Sequence, residues 1–420
     1  MAEMRCVLVQ QKYVPFAREW TSDAAVTELL PENALAEMTA GARGFPRTDP
    51  ENDLALLAFT SGSTGVPKAV MVTHRNIQSN TEDIIQSLRL KDRDRVMAVL
   101  PFSYCFGLSL LHTHLRAGGS VVLSPSFMFP EKVLDEMEAR RCTGFAGVPA
   151  TFQILLRRTT YAQRRFPALR WLQQAGGKLP SPVIAELAAT HPEVKLFVMY
   201  GQTEATARLS CLDPELLAAK PGSIGRGLPS ARLEVLKEDG TPVEPGSDEV
   251  GEIVASGPNI TRGYWRSPEE TARFFRDGRL YTGDLARVDR DGFLYVVDRA
   301  RDFIKSAGNR ISPQEVEDTI AAHPDVLHVA VVGVPDDFFG EAIAAFIVPL
   351  SRPLLPRSRP LLKEDEIRAY CNERLPNHKV PQFVYLVDSL PMNEFGKILK
   401  TKLCKPGTET DARTKDRRTA

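Results

Sequence analysis

The chain has 420 residues, of which 43% are hydrophobic and 25% charged, and its 53 Lys+Arg balance its 53 Asp+Glu. This length allows two or three domains with sizeable cores, and the mixture argues against wholesale disorder. With no basic excess, nucleic acids and anionic membrane surfaces are disfavoured as partners.

Apolar runs at 54–60, 95–100, 120–123, 169–175 and 194–200 predict buried strands. Amphipathic stretches at 74–90, 131–141, 151–158 and 183–190 predict helices, with Val133, Leu134 and Met137 on one face. The alternation predicts an α/β fold with layered sheets, largely parallel. The style changes after about residue 221. Short strands at 232–236, 251–255, 280–282 and 293–297, split by Asp239-Gly240 and Asp291-Gly292, predict a β-rich subdomain over about 221–300.

A third style follows residue 301. A helix at 313–322 opens on Pro313, strands are expected at 326–334, 342–350 and 383–387, and a second helix at 363–375. The stretch 351–360 has three prolines and three arginines and reads as an exposed loop. Residues 301–404 are thus expected to form a small α+β domain, and polar 405–420 a disordered tail. No internal repeat is found. Cys6, Cys105, Cys142, Cys211, Cys371 and Cys404 include no CxxC pair. They read as reduced thiols of a cytoplasmic protein, not as a zinc site or disulfide frame. No apolar run reaches the ~18 residues of a membrane span, and the first twenty residues lack a signal-peptide layout.

One segment has the chemistry of an anion site. Thr60-Ser61-Gly62-Ser63-Thr64-Gly65-Val66-Pro67-Lys68 follows a predicted buried strand. Its glycines let backbone N–H groups approach an anion, its hydroxyls donate and Lys68 adds charge. The same composition also suits a plain solvated loop. A Walker A loop does not fit, because Pro67 stands where its second glycine belongs and Ala69 follows the lysine.

This segment resembles the phosphate loop of the adenylate-forming superfamily, which includes acyl-CoA synthetases, peptide-synthetase adenylation domains and beetle luciferases. Four further motifs agree in order: Gln174-Ala175-Gly176-Gly177-Lys178, Tyr200-Gly201-Gln202-Thr203-Glu204, Tyr281-Thr282-Gly283-Asp284 and Asn393-Glu394-Phe395-Gly396-Lys397. The resemblance spans about 54–403. It implies an adenylation domain over 1–300 and a mobile domain over 301–404. It also implies a longer leading segment than the fewer than 60 residues before this phosphate loop, so the first subdomain is expected to be shortened.

The implied activity is ATP-dependent activation of a carboxylic acid as an acyl-adenylate, followed by thioester formation with CoA. Loading of a carrier-protein phosphopantetheine, and nucleotide binding without turnover, remain open as alternatives. The implied cofactors are ATP, Mg²⁺ and CoA or a phosphopantetheine thiol. Partners would be a small carboxylic acid and, in the carrier reading, an acyl carrier protein.

The resemblance also assigns residues. Thr60 to Gly65 and Lys68 hold phosphate, and Gly176, Gly177 and Lys178 lie beside adenine. The Tyr200 ring packs on adenine next to Gly201, and Thr203 reaches the α-phosphate. Glu204 binds Mg²⁺, with Thr60 as a second ligand. Asp284 and Arg299 hold the ribose. Arg301 takes the hinge position, where the family more often has Asp or Lys. Lys305 is counted among the cofactor-binding residues, and Gly308 serves the thioester-forming arrangement by lining a pantetheine tunnel. Lys397 acts on the carboxylate and α-phosphate, with Lys400 and Lys402 as nearby lysines that fit the pattern less well. Residues 101–107, Pro-Phe-Ser-Tyr-Cys-Phe-Gly, resemble the acyl-gating motif, with Tyr104 where many CoA ligases have histidine. His112 and His114 read as structural.

Overall fold

The computed structural model describes residues 6–9, 28–31, 48–60, 67–124, 127–299, 302–350, 362–393 and 398–403. Expectations for 61–65, Arg301, 351–360, Lys397 and the tail 405–420 therefore lie outside the described residues. The chain divides into two compact units, Met1–Asp49 and Pro50–Ala420. In the first, β1 (Cys6–Val9) pairs in parallel with β2 (Glu28–Pro31), Val7 opposite Leu29.

The second unit opens with an antiparallel hairpin of β3 (Leu54–Thr60) and β4 (Lys68–Thr73). The Thr73 hydroxyl accepts from the Asn76 N–H and the Asn76 side chain accepts from the Thr73 N–H. This reciprocal cap starts α1 (His74–Leu88) directly after the strand. Then come β5 (Arg95–Ala98), α2 (Cys105–Ala117), β6 (Ser120–Leu123), α3 (Pro130–Ala139), β7 (Gly144–Gly147) and α4 (Pro149–Arg158). After them lie β8 (Trp171–Gln174), α5 (Ser181–Thr190), β9 (Lys195–Tyr200), β10 (Ser210–Leu212) and β11 (Arg226–Gly227). The sheet order is β11-β10-β9-β8-β7-β5-β6, parallel from β9 to β6 and antiparallel at β10 and β11.

Side chains alternate across this sheet, as the period of two requires. Met97, Phe145, Leu172, Leu196 and Val198 face one core, shared with Val133, Leu134 and Met137 of α3, Leu155 of α4 and Leu187 of α5. Val96, Ala146, Trp171, Phe197 and Met199 face the other, shared with Ile84 and Leu88 of α1 and Phe106 and Leu110 of α2. Burial on both faces is why the β5 and β9 segments read as largely apolar runs.

The β-rich part contains β12 (Arg232–Leu236), β13 (Gly251–Ser256), α6 (Pro268–Phe274), β14 (Phe275–Arg276), β15 (Arg279–Val288) and β16 (Leu294–Arg299). β15 runs well past the expected 280–282. Its inward positions are Leu280, Thr282, Asp284 and Ala286, so two polar residues interrupt the apolar run.

Last come β17 (Ile304–Ser306), β18 (Asn309–Ile311), α7 (Pro313–Ala321), β19 (Val326–Asp336), β20 (Gly340–Pro349), α8 (Glu364–Asn372) and β21 (Phe383–Leu386). They form a sheet ordered β18-β17-β20-β19, with β21 parallel to β20. Val316 and Ile320 of α7 and Ile367 and Cys371 of α8 cover one face, against Val331, Ile343 and Ile347. Among the described residues no helix is long and apolar enough to cross a membrane.

This small sheet packs on the large one through β19 against α4 and α7 against α5. Lys178 pairs with Asp318 at 3.0 Å, and the His328 Nδ1 hydrogen-bonds the Gln153 side chain. Burial, aided by the nearby Arg158 guanidinium, pushes the His328 pKa down to about 4, from an ordinary 6.5. The folded chain thus favours neutral His328. Its contribution is complete above about pH 6.5 and is lost progressively as pH falls towards 4, on the order of 3 kcal/mol in all. Melting curves of the parent are expected to fall over that window by a component that His328→Asn lacks. Identical pH slopes for the two proteins would contradict the assignment.

Candidate active site

The hairpin of β3 and β4 sets Thr60 directly opposite Lys68. Residues 61–65 between them lie outside the described residues. Lys68 is held by an ion pair to Glu270 of α6, and its ammonium lies 5.3 Å from the centre of the Tyr264 ring. Tyr264 in turn donates to Glu204 Oε1 at 2.8 Å. Burial and the adjacent Glu204 carboxylate push the Tyr264 hydroxyl well above its usual range, so it remains a protonated donor. One chain of contacts therefore links the phosphate-loop lysine to the expected metal ligand. Neither Tyr264 nor Glu270 carries a sequence signal, since an aromatic after a glycine and a glutamate at a helix start are commonplace.

β9 delivers Tyr200 at the end of the large sheet, and a short turn over Thr203–Ala205 follows it. The Tyr200 hydroxyl donates to Asp284 Oδ2 at 2.7 Å. Asp284 is 5% exposed, and the register of β15 with β16 sets it across from Arg299. Two motifs 84 positions apart thus meet side chain to side chain. The Thr203 hydroxyl donates to the Cys105 Sγ at 3.5 Å, and burial raises the pKa of that thiol. The Glu204 backbone carbonyl accepts from both the N–H and the hydroxyl of Thr261, which fixes the turn.

Gly176 and Gly177 follow β8, where the Gln174 side chain donates to the Gly177 carbonyl at 2.7 Å. Gly176 has φ +83°, and a Cβ there would come within 2.7 Å of the Tyr104 hydroxyl. A side chain would therefore displace the aromatic of the gating motif. Lys178 is occupied by Asp318.

An apolar cavity of about 460 Å³ lies beside these residues. Phe59 and Thr60 of β3, Ile84 of α1, Phe102, Cys105 and Ala207 line it. His112 also reaches it, whereas His114 is buried with its Nδ1 at 2.8 Å from the Leu110 carbonyl. Of the two histidines read as structural, only His114 is fully enclosed in the core.

Asn393 also lines this cavity. Met392 and Ile398, which flank 393–397, form an antiparallel bridge. Lys400 pairs with Glu317 at 2.7 Å, and Glu317 accepts the Val331 N–H at 2.7 Å. Burial works against the Lys400 charge, but the Glu317, Asp298 and Asp302 carboxylates more than offset it and hold the lysine above its ordinary pKa. Lys400 is thus an internal tie of the small domain.

At the other end, β17 and β18 join through a two-residue turn in which both Ala307 (φ 48°) and Gly308 (φ 77°) have positive φ. A Cβ at Gly308 would meet nothing within 4 Å, so this turn stands in the open. The Lys305 N–H donates to Glu341 at 2.6 Å.

The expected metal donors are one carboxylate, Glu204, and one hydroxyl, Thr60. Among the described residues no group of three His, Cys, Asp or Glu side chains could hold an ion alone. Such a donor set fits a hard cation that arrives with a phosphate ligand and completes its shell with phosphate and water oxygens.

A large α/β sheet, a small second sheet and the Tyr200–Asp284 and Lys68–Glu270–Tyr264–Glu204 contacts point to one class of enzyme, and comparison with known proteins agrees. The AMP-binding enzyme family matches residues 2–265, and the AMP-binding enzyme C-terminal domain matches 315–397. The chain belongs to the AMP-binding enzyme family, within the adenylate-forming superfamily. A feruloyl-CoA synthase from Amycolatopsis sp is 39% identical over 353 residues, covering 83% of this chain and 69% of that protein. A 2-succinylbenzoate–CoA ligase from Geobacillus kaustophilus is 36% identical, covering 84% of this chain and 69% of its own length. Among solved structures, the o-succinylbenzoate CoA synthetase of Bacillus subtilis in complex with its acyl-adenylate intermediate superposes with a TM-score of 0.79 at 30% identity, covering 94% of this chain and 77% of that one.

Proposed function

We propose that the chain is an AMP-forming acid–thiol ligase that activates a carboxylic acid with ATP and passes the acyl group to CoA. The observation that carries this is the meeting of Tyr200 with Asp284, and of Glu204 with the Lys68 network, beside an apolar cavity. The relatives' names add the thioester chemistry, since they are CoA ligases.

In the first step a carboxylate oxygen of the acid attacks the α-phosphorus of ATP. The bond from that phosphorus to the bridging oxygen breaks, and pyrophosphate leaves with the electron pair. Asp284 supplies two acceptor oxygens for the ribose cis-diol, with Arg299 beside it. The Tyr200 ring and the Gly176–Gly177 loop bracket adenine, and Thr203 donates to the α-phosphate. Lys68 and the segment 60–65 hold the outer phosphates, and Lys397 neutralises charge growing on the α-phosphoryl oxygens. Mg²⁺, held by Glu204 and Thr60 when bound, would offset phosphate charge.

In the second step the CoA thiolate attacks the acyl carbon, the carbon–oxygen bond to AMP breaks, and AMP departs. One site serves both steps if the small domain turns about Arg301, exchanging Lys397 for the turn that carries Gly308. Asn393 at the cavity and the Gly308 turn in the open support reading this arrangement as the adenylating one. Free thiols at Cys105, Cys142, Cys211 and Cys371 suit a reducing cytoplasm.

Gly308→Leu is expected to slow thioester formation about tenfold more than it slows acid-dependent ATP–pyrophosphate exchange, because its bulk matters only where pantetheine must pass. Equal loss of both activities would contradict the tunnel role. A phosphopantetheine on a carrier protein is the alternative acceptor. Supplying CoA or holo-carrier protein with the same acid separates the two.

A further inference from the structure

Glu204 and Lys68 enter the site on separate elements, the short turn after β9 and the first residue of β4. The segment 261–265 lies against both. The Thr261 N–H and hydroxyl donate to the Glu204 carbonyl, at 3.0 and 2.8 Å. Beyond Thr261 the backbone pairs with β4. The Met71 N–H donates to the Gly263 carbonyl at 2.9 Å and the Trp265 N–H to the Ala69 carbonyl at 2.8 Å, with Val70 opposite Tyr264. One segment thus ties the turn that carries Glu204 to the strand that opens on Lys68.

Tyr264 stands within this segment and is 5% exposed. Its N–H donates to the Thr271 hydroxyl at 2.9 Å, and the Phe274 and Phe275 rings meet its own nearly edge-on, at 6.2 and 5.9 Å between centres. Close packing of this kind holds a ring in one orientation. Both ends of its chemistry are in use. The hydroxyl donates to Glu204 Oε1 at 2.8 Å. The ring centre lies 5.3 Å from the Lys68 ammonium, within cation–π range, and Glu270 pairs with the same ammonium. An ionised carboxylate accepts at two oxygens, so a bond at Oε1 leaves Oε2 able to ligate a cation.

We infer that Tyr264 is a positioning residue of the nucleotide site: its hydroxyl sets the Glu204 carboxylate for the divalent cation that accompanies ATP, and its ring sets the Lys68 ammonium for the phosphates. The inference rests on the proposed ligase reading and deepens it. Hydrogen-bond partners of metal-ligating carboxylates fix their orientation, and losing one ordinarily costs about 10–100-fold in metal affinity. Because a single tyrosine holds both a cation ligand and an anion ligand, MgATP meets the two already arranged, and less of the binding energy goes to ordering side chains.

The test is calorimetric titration with α,β-methylene-ATP, whose α–β bridge cannot be cleaved to pyrophosphate, in excess Mg²⁺ and separately in EDTA. The parent is expected to bind the analogue more tightly in Mg²⁺. Tyr264→Phe keeps the ring and loses the hydroxyl. Its affinity is expected to fall about tenfold or more in Mg²⁺ and less than about twofold in EDTA. Glu204→Gln should lose the Mg²⁺ advantage, and adding Tyr264→Phe to it should cost nothing further, because the hydroxyl acts through that carboxylate. Equal losses in Mg²⁺ and EDTA, an unaffected Tyr264→Phe, losses that simply add in the double variant, or a Tyr264→Phe chain that does not fold would each mark the tyrosine as structural or idle and overturn the inference. A parent that binds the analogue but exchanges pyrophosphate with no acid counts against the ligase reading alone, and the same titrations then decide the role of Tyr264. A parent that binds no analogue, or binds it equally with and without Mg²⁺, overturns the inference outright.

Discussion

Lys397→Ala is expected to lower acid-dependent ATP–pyrophosphate exchange by about 10²–10³-fold, the usual cost of removing one donor aimed at developing transition-state charge. The loss should fall on kcat more than on KM for ATP, because the contacts proposed for Tyr200 and Asp284 with the nucleotide are left in place. Three observations support this lysine over its neighbours. Its motif stands last in the family order, and Asn393, four positions before it, lines the cavity. Lys400 is already committed to Glu317 at 2.7 Å. Lys400→Ala should therefore lower thermal stability, because a buried carboxylate is left without its partner. A Lys397→Ala protein that exchanges as fast as the parent would remove the lysine from the mechanism.

Asp284→Ala carries the second large effect. Both ribose hydroxyls lose a charged acceptor, and hydrogen bonds to charged groups contribute about 1.5–3 kcal/mol each, so KM for ATP is expected to rise about 10²-fold or more. The Tyr200 hydroxyl also loses its partner at 2.7 Å, which frees the ring proposed to stack on adenine. Asp284→Asn keeps one acceptor oxygen and should fall between the parent and the alanine variant. Titrating exchange with ATP at saturating acid measures this. An unchanged KM for ATP in Asp284→Ala would show that the ribose does not sit there.

Strand positions were legible from short runs rich in apolar residues. The run 54–60 coincides with β3, and 120–123 and 232–236 coincide with β6 and β12, although Phe59 and Leu123 are largely exposed and β12 alternates Arg232 and Glu234 with apolar residues. β7 was not read from the sequence. Its residues are Gly144-Phe145-Ala146-Gly147, and glycine counts against a strand by propensity. The reason for Gly144 is tertiary: a Cβ there would fall 1.9 Å from the Trp171 ring of the neighbouring strand. β15 was cut short for a different reason, since its inward face includes the polar Thr282 and Asp284.

The site was legible where motifs are local and obscure where partners come from afar. Tyr200 and Glu204 stand in one pentapeptide, but their partners Asp284 and Tyr264 lie 84 and 60 positions away. Nothing in composition or period links them.

The most direct measurement follows the fate of ATP in the purified 420-residue chain as carboxylic acids of varied length and shape are added. The account predicts pyrophosphate exchange that depends on the acid, followed by AMP and an acyl thioester once CoA is supplied. Cleavage to ADP and phosphate, or nucleotide binding with no exchange for any acid, would contradict it.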